Sequence, residues 1–272
     1  MKHSADHPAR SRNYVALVLL GLAVGCCSGL FGLGGGVVVV PVLTFLLGYG
    51  IKLASGTSLL AIMIPAIVGV ITYGLNGHVH VVMAALLACG SIVGAPVGTW
   101  VLSKVRPVMV QWAYVVFLLC VIASMFLVTP SRDSEVVVDA LSVVLLVGVG
   151  FIAGIASGLL GIGGGMVVVP LMMLVFGASD LVAKGTSLLM IIATSLSGTV
   201  SNALRSNVDV PAALVIGCSA AVATPASVLL VHVMTPFAAN MAFAVFVGLL
   251  VVRMLFGIRA ERRREAVSES AG

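Results

Sequence analysis

The sequence predicts an all-α polytopic membrane protein of two inverted-topology repeats, with about 8–10 transmembrane segments and a short broken or re-entrant helix after each of two glycine motifs. Three observations predict it. The chain is 61% hydrophobic and only 8% charged, too little charge to cover a soluble surface; its mean hydropathy is +1.25. The apolar residues fall in blocks, Tyr14–Phe31, Leu53–Leu75, Val79–Leu102, Val108–Val128, Val136–Leu160, Leu181–Leu204, Val210–Val231 and Phe237–Ile258. Each approaches or exceeds the ~20 residues that cross a hydrocarbon core, and none shows the short alternation of a β-barrel. Second, GLFGLGGGVVVVP at Gly29–Pro41 returns as GLLGIGGGMVVVP at Gly158–Pro170. Third, a shift of 129 residues makes 19 of 36 positions identical between Gly25–Leu60 and Gly154–Leu189, which marks a tandem duplication. The same register pairs Pro96 with Pro225 and Pro107 with Pro236.

The elements follow in order. Residues 1–13 form a cytoplasmic segment. Lys2, Arg10 and Arg12 ahead of an apolar run resemble a signal peptide, but Gly25–Leu30 recurs deep in the chain, so the segment is read as retained. The first membrane repeat, 14–128, holds apolar segments at 14–31, 36–48, 53–75, 79–102 and 107–128. The polar stretch 129–135 is the linker. The second repeat, 136–258, holds segments at 136–160, 165–177, 181–204, 209–232 and 236–258, and 259–272 is a basic cytoplasmic tail. Five segments per half, or three if the short second one folds back on the first, are odd in number, so the halves enter the membrane in opposite directions. With both termini cytoplasmic, Lys2, Arg10, Arg12, Lys52, Lys104, Arg106, Arg205, Arg259, Arg262, Arg263 and Arg264 fall on the cytoplasmic side, with Arg253 near it. Only Arg132 and Lys184 fall opposite. That distribution obeys the positive-inside rule for a multi-pass protein of the inner (plasma) membrane. It also explains the net charge of +5 without nucleic acid as a partner.

The glycine motifs are the expected working part. Twelve residues, Val37–Gly48, reach only about 18 Å as a helix against a core of about 30 Å. The expected course is helix to Phe31, an irregular turn over Gly32–Gly36, an extended valine stretch, and a short helix from Pro41; Met166–Gly177 repeats it. Irregular backbone at membrane depth survives only against protein or a water-filled cavity. Its open N–H groups and a short helix's positive end suit an anion. The expected substrate-binding residues are Ser28, Gly32, Gly34, Gly35, Gly36, Thr57 and Ser58, with Ser157, Gly161, Gly163, Gly164, Gly165, Thr186 and Ser187 in the second half. The Thr-Ser pairs either cap their helices or face the cavity. Pro41 and Pro170 are expected structural kinks, as are Pro65, Pro96 and Pro225. The competing reading is that the glycines only let helices pack closely.

GLGGGVVVVP and GIGGGMVVVP, each followed by GTSLL (Gly56–Leu60 and Gly185–Leu189), resemble the TauE/SafE family of membrane permeases over about residues 14–258. The resemblance implies an inner-membrane transporter, with relatives associated with export of sulfite, sulfoacetate and related small organic anions.

The other residues carry less. His78 and His80 fall in an extracytoplasmic turn and read as solvated, and no metal or other cofactor is expected. Cys26, Cys27, Cys89, Cys120 and Cys218 lie in apolar blocks without CxxC spacing and read as small buried hydrophobes. Asp139, Asp180 and Asp209 sit near segment ends, so no mid-membrane carboxylate stands out. Lys184 and Arg205 either attract anions to a vestibule or snorkel to the interface. No HExxH occurs, and GCCSG and GIASG miss the spacing of an intramembrane serine protease, so an enzyme is not expected. The sequence therefore reads as a permease moving a small anion, sulfite or an organosulfonate, outward by alternating access, in contact with the lipid bilayer. An anion channel or a membrane assembly protein is the alternative, and the oligomeric state stays open.

Overall fold

The structure is a computed structural model that describes residues 13–127 and 139–270. Lys2, Arg10, Arg12, Arg132 and the linker 129–135 lie outside the described residues. Ten helices carry the described chain: α1 (Tyr14–Phe31), α2 (Gly36–Leu46), α3 (Ile51–Leu75), α4 (Val81–Lys104), α5 (Pro107–Leu127), α6 (Ala140–Leu160), α7 (Gly165–Phe176), α8 (Asp180–Ala203), α9 (Val210–Val233) and α10 (Pro236–Ser270). Six of them, α1, α3, α4, α6, α8 and α9, are long and apolar enough to cross a membrane. The outer face is apolar too, with Leu19, Val93, Trp100, Leu229 and Phe256 exposed, as lipid contact requires.

The two halves interlock instead of standing side by side. Helix α1 of the first half lies parallel to α9 of the second, and α4 lies parallel to α6. Small residues allow it. A Cβ added at Gly21 would stand 2.5 Å from Ile216 O, and one at Gly29 would stand 2.7 Å from Thr224 O. One added at Gly154 would stand 2.6 Å from Ser91 O. Close packing of this kind is what small-xxx-small stripes provide, and it accounts for the glycines ahead of each motif, not those within it.

Matching clips fasten the two ends. At one end the Asp209 backbone N–H donates to Thr57 Oγ1 at 2.9 Å, Tyr49 OH donates to Asp209 Oδ2 at 3.1 Å, and Lys52 Nζ donates to Ser103 O at 2.9 Å. At the other end the His80 backbone N–H donates to Thr186 Oγ1 at 2.9 Å. His80 also caps α4, its Nδ1 accepting from the Met83 N–H at 3.3 Å, so it is a half-buried cap and not a fully solvated loop residue.

Three further expectations need correcting. The valine runs are helical: Gly36–Pro41 and Gly165–Pro170 are α-helix, and each proline is the sixth helical residue, not the first. In α2 the turns widen to a π-helix over Val42–Leu46 immediately after Pro41, whereas α7 runs through Pro170 as α-helix. Buried backbone without water must pair internally, which overrides the β preference of valine. A proline frees the carbonyl four residues earlier, and a hydroxyl meets it twice: Tyr114 OH donates to Val37 O at 3.2 Å below Pro41, and Ser197 Oγ donates to Ile92 O at 2.8 Å below Pro96. The cysteines differ as well. Cys27 is buried, but Cys26, Cys89, Cys120 and Cys218 are exposed, because a membrane helix is apolar on its outer face too. Lastly, Lys184 does not snorkel; it is buried in an ion pair.

Candidate functional site

Each glycine motif is a tight left-handed passage between two helices. Gly32 ends α1 at φ 67° and Gly161 ends α6 at φ 73°, their N–H groups closing on Ser28 O and Ser157 O. Gly34 and Gly35 follow at φ 70° and 78°, and Gly163 and Gly164 at 84° and 85°. Three positive-φ residues within four positions are practicable only for glycine. Gly35 and Gly164 then serve as N-caps of α2 and α7 without a side-chain hydrogen bond. The first bonds that close these helices run from Val38 N–H to Gly35 O and from Val167 N–H to Gly164 O. The amides ahead of them are the ones a helix start leaves open.

The two passages touch. A Cβ at Gly36 would stand 2.6 Å from Gly161 O and 2.8 Å from Ile162 Cα; one at Gly165 would stand 2.9 Å from Gly32 O. The fourth glycine of each motif is thus spent on admitting the other motif. Ile62 and Ile191, fully buried, pack on both: a Cβ added at Gly34 would stand 3.3 Å from Ile191 Cγ2 and 3.5 Å from Ile62 Cβ, and one at Gly163 would stand 2.6 Å from Ile62 Cδ1.

The Thr-Ser pairs work across the halves. Ser58 Oγ donates to Gly161 O at 2.7 Å, and Ser187 Oγ donates to Gly32 O at 2.5 Å and to Lys184 O at 2.8 Å. Thr57 and Thr186 accept from the end clips described above, so none of the four caps its own helix. Ser28 and Ser157 differ from them: both are 0% exposed, and neither Oγ has a hydrogen-bond partner. Ser28 lies one helical turn from Val24, whose Cγ1 and carbonyl shield Gly35.

Several residues at the site carry no sequence signal of their own. Ile62 and Ile191 are two apolar residues among many; only their shared register in the two halves distinguishes them. Tyr73 OH donates to Gly29 O at 2.7 Å, bracing the end of α1. Asp180 and Lys184, 1% and 3% exposed, form an i,i+4 pair on the first turns of α8. Their spacing was visible, but their nearness to a segment end suggested solvent.

A bundle with six apolar spans, closed around two broken-helix passages, defines a multi-pass membrane protein. The chain belongs to the sulfite exporter TauE/SafE family, whose sequence profile matches residues 2–131 and 146–271, and is a membrane transporter of that family. It is 29% identical over 220 residues to the probable membrane transporter protein YunE of Bacillus subtilis, covering 72% of this chain and 81% of that one. A probable membrane transporter protein of Methanocaldococcus jannaschii is 31% identical over 165 residues, 57% of this chain and 60% of its own.

Proposed function

We propose that the protein is a carrier for a small oxyanion, sulfite or an organosulfonate, moved outward across the inner membrane by alternating access. Two inverted repeats, 14–128 and 136–258, form its frame, and both termini are cytoplasmic. The site comprises Gly32, Gly34, Gly35 and Gly36 with Gly161, Gly163, Gly164 and Gly165, and with Ser28 and Ser157. Ser58 and Ser187 hold the passages to the opposite halves, and Thr57 and Thr186 hold the adjoining end clips. The observation that carries this reading is the pair of fully buried, unpartnered hydroxyls, one beside each glycine passage. A buried hydroxyl without a partner is costly, and an oxyanion is the partner it lacks. Contact between the passages across Ile62 and Ile191 supports a carrier over an open pore.

Counterflow in proteoliposomes loaded with sulfite, sulfoacetate, taurine, sulfate or acetate tests this. Exchange confined to one or two anions, and lost in Gly35→Val and Gly164→Val proteins that still insert, is the expected result. Undiminished exchange in both variants would remove the site from the glycine passages.

A further inference from the structure

We propose that Lys184 is the counter-ion of the transported anion and that Asp180 is its placeholder: in the empty protein the ammonium rests on the carboxylate, and the solute's oxyanion competes for it. This rests on the reading of the glycine passages as an anion site. Asp180 and Lys184 are the only charged side chains buried among the described residues. A lysine stem is long enough to bring its charge to an interface, yet this one stays 3% exposed. Ionisable groups held inside a membrane domain generally serve transport.

The two carboxylate oxygens of Asp180 are unequally engaged. Lys184 Nζ donates to Asp180 Oδ2 at 2.9 Å; Oδ1 is 2.8 Å away as a charge contact but has no aligned hydrogen bond. Asp180 opens α8, where helix amides favour a carboxylate even without the lysine. The pair can therefore separate without stranding Asp180. The backbone and the root of the Lys184 side chain abut the first passage. A Cβ at Gly32 would lie 2.6 Å from Lys184 Cα and Cβ, and Ser187 Oγ bonds both Gly32 O and Lys184 O.

The packing does not need the charge. Gly161 sits on Ser55 as Gly32 sits on Lys184, with Cβ-to-Cα separations of 2.6 Å in both. The first half has Ile51 and Ser55 at the registers of Asp180 and Lys184, and Ser55 Oγ is buried without a partner. One cation thus serves two passages, which fits a singly charged sulfonate or hydrogen sulfite.

The test compares half-saturation (KM) for the carried anion, in counterflow and by anion-induced thermal stabilisation of purified protein. Removing the competitor in Asp180→Asn should lower KM. Lys184→Gln should raise it roughly ten- to a hundredfold, the worth of a charge-assisted hydrogen bond. Asp180→Asn/Lys184→Gln should keep the raised KM, and it serves alone if the single variants do not fold. A purely structural pair would cost folded protein in both single variants and leave KM unmoved, which overturns the proposal. An anion effect in the unsubstituted protein that every variant retains overturns it while sparing the glycine site. No anion effect in the unsubstituted protein by either readout overturns both.

Discussion

Deleting the hydroxyl of Ser28 or Ser157 should stabilise the empty protein and weaken its hold on solute, two effects of opposite sign from one oxygen atom. Both serines are 0% exposed and neither Oγ finds a partner. A hydroxyl left unpaired in a buried site costs about 1–3 kcal/mol of desolvation. Alanine keeps the Cβ and removes that cost, at the expense of a void smaller than a methyl group. The net expectation is a gain of about 1 kcal/mol per site. If the solute's oxyanion is the missing acceptor, the loaded state loses a charge-assisted bond of about 1.5–3 kcal/mol, so half-saturation should rise roughly ten- to a hundredfold. Thermal unfolding of detergent-purified Ser28→Ala and Ser157→Ala, with and without anion, reads the first effect, and counterflow reads the second. A lower melting temperature in the empty variants would show that the hydroxyl already had a protein partner. An unmoved half-saturation would show that the solute is not its partner.

Tyr114→Phe should cost about 1–3 kcal/mol by leaving Val37 O without a donor, since Pro41 offers no N–H. An unchanged melting temperature would refute the account of how α2 tolerates its proline. At the start of α6, the Ser142 side chain and then its amide hold the Asp139 carboxyl below its ordinary value of 3.8. The sign follows: the cap is complete above 3.8 and is lost only as pH falls through the lower folded value. A Ser142 amide shift that titrates at or above 3.8 would contradict it.

Much of the frame is legible in the sequence because a bilayer imposes length and apolarity, and those are properties of local stretches. The glycine passages are legible for the same reason, since only glycine accepts repeated positive φ. What escapes is whatever depends on a partner from the other half. The hydroxyls of Ser58 and Ser187 reach glycine carbonyls of the opposite half, a pairing that no local stretch of sequence encodes. The valines of α2 and α7 read as extended because their intrinsic preference is local, whereas the requirement that buried backbone pair with itself is global. Lys184 misleads for a further reason: its distance from the end of α8 is short in sequence, but the Gly32 passage packs against it and the His78–His80 loop packs on the neighbouring Gly185 and Thr186.

On the reading that the halves exchange roles between two states, an energy difference between those states can arise only where the halves differ. The motif glycines, Ile62 with Ile191 and Ser28 with Ser157 are matched residue for residue, so on that reading they give little preference for either state. Among the residues that carry polar contacts, three mismatches stand out. Asp180 and Lys184 stand against Ile51 and Ser55, Asp209 against His80 at the end clips, and Tyr114, bonded to α2, against Phe243, which packs on Phe31. Of these, the ion pair is the strongest lever, because its worth changes most with burial and with the presence of a competing anion. On that reading the ion pair would contribute most to any preference between the two states, with the other mismatches adding to it.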